Sequence, residues 1–244
     1  MSASLRGRLT VADGPEGLAE LAACRVEEIL ARALADRGRA SFGLAGGTTP
    51  DATYRHLAAR AASSDLDWAR VEVFQGDERC VPPTAPESNF RRATEILLSR
   101  LPGPVVHRIP AEQGAERAAS VYARLLEERL GNPPRLDLAL LGLGDDGHTA
   151  SLFPDGGAAD GWVVASRSPV APYERVTLTH RTLDLARHVI VLVSGATKGD
   201  ALVRVARQED VPAAHLAPER LEWIVDVEAA TGLAGLAGIE LLAL

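Results

Sequence analysis

Apolar runs with the composition of β-strands alternate along this chain with longer stretches patterned as helices. A first helix is expected over residues 15–37. Asp13 and Glu16 have the spacing of a capping box, Pro15 suits a first turn, and Gly38 suits the stop. Residues 40–45 read as a strand, and Pro50 opens a second helix with Thr49 as its cap. Residues 71–76 form a strand that ends in a polar loop carrying Pro82, Pro83 and Pro86, followed by helices over 89–101 and 112–130. Residues 136–143 are the most apolar strand of all, and such continuous hydrophobicity marks burial on both faces, at the centre of a parallel sheet. Further strands are expected at 163–165, 175–178, 188–194 and 222–225, and a helix at 197–208. The apolar run 235–244 is short, contains Glu240, and reads as packed protein. No repeat, low-complexity tract or long linker divides the chain. Residues 1–244 are therefore read as a single doubly wound α/β domain with a mostly parallel sheet.

In such sheets a ligand lies beyond the carboxyl ends of the strands. Four polar clusters fall at four of these ends: Gly46-Gly47-Thr48-Thr49-Pro50, Gly76-Asp77-Glu78-Arg79, Asp146-Gly147-His148 and Gly195-Ala196-Thr197-Lys198. If the sheet is parallel, all four share one rim. The first cluster is a glycine-rich turn into a helix, where free backbone N–H groups and the positive dipole end can hold an anion or sugar oxygens.

Charge and composition narrow the chemistry. The 244 residues carry a net charge of −7, which argues against a nucleic-acid surface but leaves room for a locally basic pocket. Of 26 Lys plus Arg, Lys198 is the only lysine. A chain that uses arginine wherever charge alone suffices points to Lys198 as a place where a compact ammonium is wanted. Arg79, Arg175 and Lys198 would bring positive charge to the rim, most simply for a phosphate. Cys24 and Cys80 show neither metal-ligand spacing nor a disulfide framework, as expected of a reducing cytoplasm. Residues 1–8 lack the apolar run of a secretory signal, and no stretch approaches the roughly 20 apolar residues of a membrane helix.

Among six histidines, His148 differs in following two carboxylates and a glycine at the end of the central strand. A neutral imidazole there can take a proton from water while a carboxylate orients it. His56, His107, His180, His188 and His215 read as structural or surface residues. The same segment matches a dinucleotide fingerprint in Gly142, Gly144 and Gly147, but Asp145 and Asp146 would face the pyrophosphate and Pro154 cuts the following helix short.

The segments Leu44–Pro50 by number 44–50, 76–79 with Glu87-Ser88-Asn89-Phe90, 142–154, 175–179 and 195–198, in this order, resemble the glucosamine-6-phosphate isomerase/6-phosphogluconolactonase family on its lactonase side. The most specific block is Asp146-Gly147-His148-Thr149-Ala150-Ser151-Leu152-Phe153-Pro154. The resemblance implies a Rossmann-like fold and hydrolysis of 6-phospho-D-glucono-1,5-lactone in the oxidative pentose phosphate pathway, with no metal or organic cofactor. It implies His148 as the base that activates water and Arg79 as the group stabilising developing negative charge, with Asp77 and Asp146 orienting groups around them. Arg175 and Lys198 would hold the phosphate, and Gly46, Gly47 and Thr48 would contact substrate; Asn89 falls in a matching block. The implied partner is a phosphorylated sugar lactone, with no nucleic acid or membrane, for a cytoplasmic monomer or small homo-oligomer.

Two alternatives belong to the same superfamily. Its deaminases resemble this chain but carry a catalytic glutamate five residues after the histidine, where this chain has Phe153, and a tyrosine where it has Arg79. Sugar-phosphate sensor domains of transcriptional regulators share the fold, but an N-terminal helix-turn-helix and a basic arm are not evident here.

Overall fold

A computed structural model describes residues 5–156, 160–234 and 236. Seven strands form one parallel sheet: β1 (Arg8–Ala12), β2 (Ala40–Leu44), β3 (Val71–Gln75), β5 (Val105–His107), β6 (Leu138–Gly142), β9 (Val189–Val193) and β10 (Leu221–Asp226). Their spatial order is β1-β10-β9-β6-β2-β3-β5, and every pairing is parallel. The chain runs outward from β2 to β3 and β5, then returns to β6 beside β2 and continues to β9 and β10. The topological switch thus lies between β2 and β6, where a crevice opens at the carboxyl ends.

Alternate residues of the central strands feed two separate cores, as the two-residue period of a pleated strand requires. On β9, Val189, Val191 and Val193 belong to one cluster and Ile190 and Leu192 to the other. The helices α1 (Gly14–Arg37), α2 (Thr48–Arg60) and α3 (Asn89–Ile96) cover the second face with Leu18, Leu30, Leu57 and Ala93. The first face is covered by α4 (Ala115–Leu130), α6 (Gly199–Ala206) and α7 (Val227–Ala230), through Tyr122, Leu202 and Ala229. The helix α5 (His180–Leu185) is a short turn before β9.

A second, three-stranded antiparallel sheet sits on the first face in the order β4-β8-β7, from β4 (Asp77–Arg79), β8 (Glu174–Leu178) and β7 (Val163–Arg167). Val163, Val176 and Leu178 join it to the same core as α4.

Several expectations shift. The strands near 163 and 175 belong to this small sheet and not to the parallel one. Asp77–Arg79, expected as loop, is a strand. Its residues carry no hydrophobicity signal because they are polar, and Asp77 and Glu78 are buried through hydrogen bonds. The strands β1 and β5 are additional to those the apolar pattern marks; β5 is a three-residue edge strand with Val105 and Val106 exposed. Asp13 makes no side-chain cap on α1, which starts at Gly14, while Gly38 ends it with N–H donating to Leu34 O at 2.9 Å. The second helix starts at Thr48 with Gly47 as cap, ahead of Thr49 and Pro50. Helices expected over 89–101, 112–130 and 197–208 are α-helical only over Asn89–Ile96, Ala115–Leu130 and Gly199–Ala206, with single tighter turns beside them. No helix follows Gly147; Thr149 and Leu152 form an isolated bridge instead. The run 235–244 lies outside the described residues except for Leu236, which packs against the first core. No helix among the described residues is long and apolar enough to cross a membrane.

Candidate active site

The four polar clusters follow β2, β3, β6 and β9, which are neighbours in the order β9-β6-β2-β3. They converge on one cleft of about 200 Å³, lined by Gly46, Gly47, Thr48, Asp77, Arg79, Asn89, His148 and Lys198 among others.

The turn after β2 is pinned from below. Tyr54 of α2 accepts a hydrogen bond from Ala45 N–H at 2.9 Å and donates to Ala45 O at 2.8 Å. Gly46 has no room for a side chain, because a Cβ would fall 2.3 Å from Asn89 Oδ1. The first turn of α2 then presents its N-terminal amides beside Thr48, at the edge of the cleft.

The arm beyond β3 is organised by Glu78. This buried carboxylate accepts from Arg79 N–H and Asn89 N–H at Oε1, both at 2.8 Å. At Oε2 it accepts from Gln75 Nε2 (2.8 Å), Ser88 Oγ (3.0 Å) and Phe90 N–H (2.8 Å). It therefore joins the start of α3 to β4 and sets the backbone from which Arg79 projects. Arg79 Nη1 donates to Glu87 O at 2.6 Å. Asp77 is buried beside it and accepts from Ser151 Oγ at 2.7 Å and Asn89 Nδ2 at 3.4 Å. Ser151 belongs to the histidine segment, so this bond ties the Arg79 side of the cleft to the His148 side.

His148 stands on the tight turn after β6. Asp146 Oδ1 accepts from His148 N–H at 3.0 Å and lies 2.6 Å from His148 Nδ1. Burial pushes the Asp146 carboxyl up, but the backbone and ring contacts to His148 together outweigh it and hold the group below its ordinary range. An ionised Asp146 fixes a proton on Nδ1 and leaves Nε2 as the basic nitrogen. Nε2 has no hydrogen-bond partner among the described residues. Arg204 Nη1 donates to Asp146 O at 2.9 Å and braces the turn. The Phe153 ring packs against the imidazole, with centroids 4.8 Å apart.

Of the carboxylates that the sequence left open, Asp146 is the one that touches His148. It stands behind the ring, outside the cleft lining. Asp145 instead pairs with Lys198, whose Nζ lies 2.7 Å from Asp145 Oδ1. Arg175 also differs from expectation. It is the register partner of Arg79 across β4 and β8, yet it is buried and not part of the cleft lining. A buried guanidinium needs acceptors, and Arg175 Nη1 finds them in the carbonyls of Pro172 and Glu174. Burial, and then the adjacent Arg79 guanidinium, work against its charge. Ser151, Glu78 and Arg204 are site-organising residues to which sequence reasoning gave no role. Ser151 and Glu78 lie inside the motif blocks, whereas nothing in the pattern around Arg204 marks it. No group of three His, Cys, Asp or Glu side chains among the described residues is arranged to hold a metal ion.

Residues 13–225 match the family model described as glucosamine-6-phosphate isomerases/6-phosphogluconolactonase. The chain belongs to this family. Within it, the chain is 36% identical to a 6-phosphogluconolactonase of Synechocystis sp., over 88% of its own length and 94% of the relative's. It is 37% identical to a 6-phosphogluconolactonase of Mycobacterium leprae, over 86% and 92%. A solved 6-phosphogluconolactonase from Trypanosoma cruzi superposes with a TM-score of 0.85 at 29% identity, covering 96% of this chain and 99% of that one. A monomeric glucosamine-6-phosphate deaminase superposes with a TM-score of 0.80 at 20% identity over 92% and 99%, a likeness of fold.

Proposed function

We propose that the chain hydrolyses 6-phospho-D-glucono-1,5-lactone to 6-phospho-D-gluconate, the lactonase step of the oxidative pentose phosphate pathway. The observation that carries this reading is the Asp146–His148 pair, with Nε2 unpartnered and Arg79 and Lys198 lining the same cleft. His148 Nε2 takes a proton from a water as its oxygen attacks the lactone carbonyl carbon. The carbonyl electrons pass to oxygen, and the Arg79 guanidinium stabilises that oxyanion. On collapse the bond from this carbon to the ring oxygen breaks, and the imidazolium returns its proton to the leaving oxygen. Asp146 stabilises the transient imidazolium and needs no proton of its own.

Lys198 holds the phosphate, with the amides and hydroxyl of Gly46, Gly47 and Thr48 available to the sugar. Arg175 supports Arg79 from behind, since two adjacent guanidinium groups favour an anion in front of them. Asp77 is a positioning residue acting through Ser151 and Asn89. Phe153 beside His148 favours hydrolysis over deamination, because it puts an aromatic ring where sugar isomerisation needs a carboxylate. The reading treats residues 1–244 as one domain, supported by two cores on the faces of one sheet. It places the protein in the cytoplasm, a reading supported by the free thiols of Cys24 and Cys80, and takes it as a monomer or small homo-oligomer.

Purified protein should consume freshly made lactone well above the rate of spontaneous ring opening, without releasing ammonia from glucosamine 6-phosphate. His148→Gln should lower kcat about 10²- to 10³-fold with little change in KM. A lactone lifetime unaltered by the protein would refute the reading; full activity in the variant would refute the role of His148 alone.

A further inference from the structure

The Lys198 ammonium has a partner already in place. Its Nζ lies 2.7 Å from Asp145 Oδ1, and the two side chains differ sharply in setting: Lys198 is 25% exposed and Asp145 71%. The backbone that leads into Lys198 is anchored. The residue sits on the turn after β9, where Asp226 accepts from Gly195 N–H at 3.0 and 3.1 Å and from Ser194 Oγ at 2.6 Å. The carboxylate projects into water and is free to rotate away. Nearby acidic groups do not share this position. Asp146 is committed to His148, and Asp200 lies in the first turn of α6 without an ion pair to Lys198.

We propose that Asp145 is a resident counter-ion that competes with the substrate phosphate for Lys198 and thereby moderates phosphate affinity and hastens product release. The inference rests on the assignment of Lys198 to the phosphate. A phosphate monoester carries about −1.5 to −2 charges at pH 7 and three acceptor oxygens, against one charge on a carboxylate. It displaces Asp145 from the ammonium, and Asp145 turns outward into solvent at little cost. A ligand without phosphate lacks the charge to do this. The same competition acts on the product: as its phosphate loosens, Asp145 returns to Lys198 and speeds release. Asp145 is thus an affinity-tuning residue whose removal should tighten phosphate binding, opposite to the loss expected on deleting a structural partner.

The test is calorimetric titration of 6-phosphogluconate and of gluconate, at low ionic strength, into the wild type, Asp145→Asn, Lys198→Gln and the double variant. Asp145→Asn should bind 6-phosphogluconate about twofold to fivefold tighter, the scale set by one partly exposed ion pair. Its product inhibition should strengthen by the same factor, gluconate binding should not change, and the gain should vanish in the Lys198→Gln background. Unchanged or weaker binding by Asp145→Asn would overturn the proposal, since the carboxylate would then merely hold Lys198 in place. A gain that persists without Lys198, or extends equally to gluconate, would also overturn it by reducing the effect to general repulsion. If Lys198→Gln alone leaves 6-phosphogluconate affinity intact, the phosphate assignment falls first and the proposal with it, whether or not the lactonase activity stands.

Discussion

The His148 imidazole lies so close over residue 144 that a Cβ there would fall 2.0 Å from Nδ1. Gly144 is therefore required by the ring and not by the turn alone. In Gly144→Ala the imidazole must leave Asp146, and a misplacement of about 1 Å at a reacting group costs about 10²-fold in rate. We expect kcat to drop by about that factor while Tm stays near the wild-type value, because His148 is only partly buried. Steady-state kinetics beside a thermal melt would separate the two effects, and an unimpaired kcat would mean the ring position is unimportant. At this scale the sequence was informative. His148, Arg79, Lys198, Gly46, Gly47, Thr48 and Asp77 all reach the cleft, because motif residues at strand ends need only a parallel sheet to meet. Arg175 illustrates the limit, since its place on β8 was legible but the direction of its guanidinium depends on which carbonyls burial leaves beside it.

The strand β4 has no apolar pattern, and the arm from Gln75 to Phe90 is organised around the five hydrogen bonds accepted by Glu78. Glu78→Gln replaces one acceptor oxygen with an N–H₂ that faces other donors. It should destabilise the protein by about 1–3 kcal/mol, the cost of leaving a buried polar group unsatisfied. It should also lower kcat/KM by loosening Arg79. Urea denaturation and kinetics on the same preparation check both; a variant as stable and as active as the wild type would remove Glu78 from its organising role. The helices were legible to within a few residues wherever the apolar positions are periodic. Their ends were less so. Asp13 has the identity of a cap, but its backbone and side chain do not close on the first turn, while Ser88 does cap α3 through Arg91 N–H. Cap geometry depends on how the chain enters the helix, which neighbouring elements decide.

Across the whole molecule, one response to acid is set at the end of the sheet opposite the cleft. His188 precedes β9 at the amino ends of the strands, and its Nε2 accepts from Arg220 Nη1 at 3.1 Å. Burial, then the cations Arg220, Arg25 and Arg32, hold its pKa below the ordinary value against the pull of Glu222. Unfolding lifts that restraint. As pH falls through about 6.5 the unfolded chain therefore takes up a proton that the folded one resists. The contribution to stability is complete above that range and is lost as pH falls toward the lowered folded value. His188→Gln keeps an acceptor for Arg220 and should flatten the decline in Tm between about pH 7.5 and about pH 5.5. An identical slope in both proteins would show that His188 does not set it.

The alternation of apolar runs and helical patterns sufficed to determine an α/β fold with a parallel sheet, since burial on both faces leaves few other arrangements for a run such as 136–143. The motif order sufficed to determine the family, and the residue types at the strand ends determined the chemistry on offer. The tertiary structure alone decided which carboxylate serves which partner: Asp146 the His148 imidazole, Asp145 the Lys198 ammonium, Asp77 the Ser151 hydroxyl. Three aspartates that look alike in sequence acquire different partners because side-chain direction at a turn is set by local backbone geometry and by what packs beneath it. The small antiparallel sheet was decided the same way, because its polar strand is held by hydrogen bonds to residues distant in sequence, which no local pattern records.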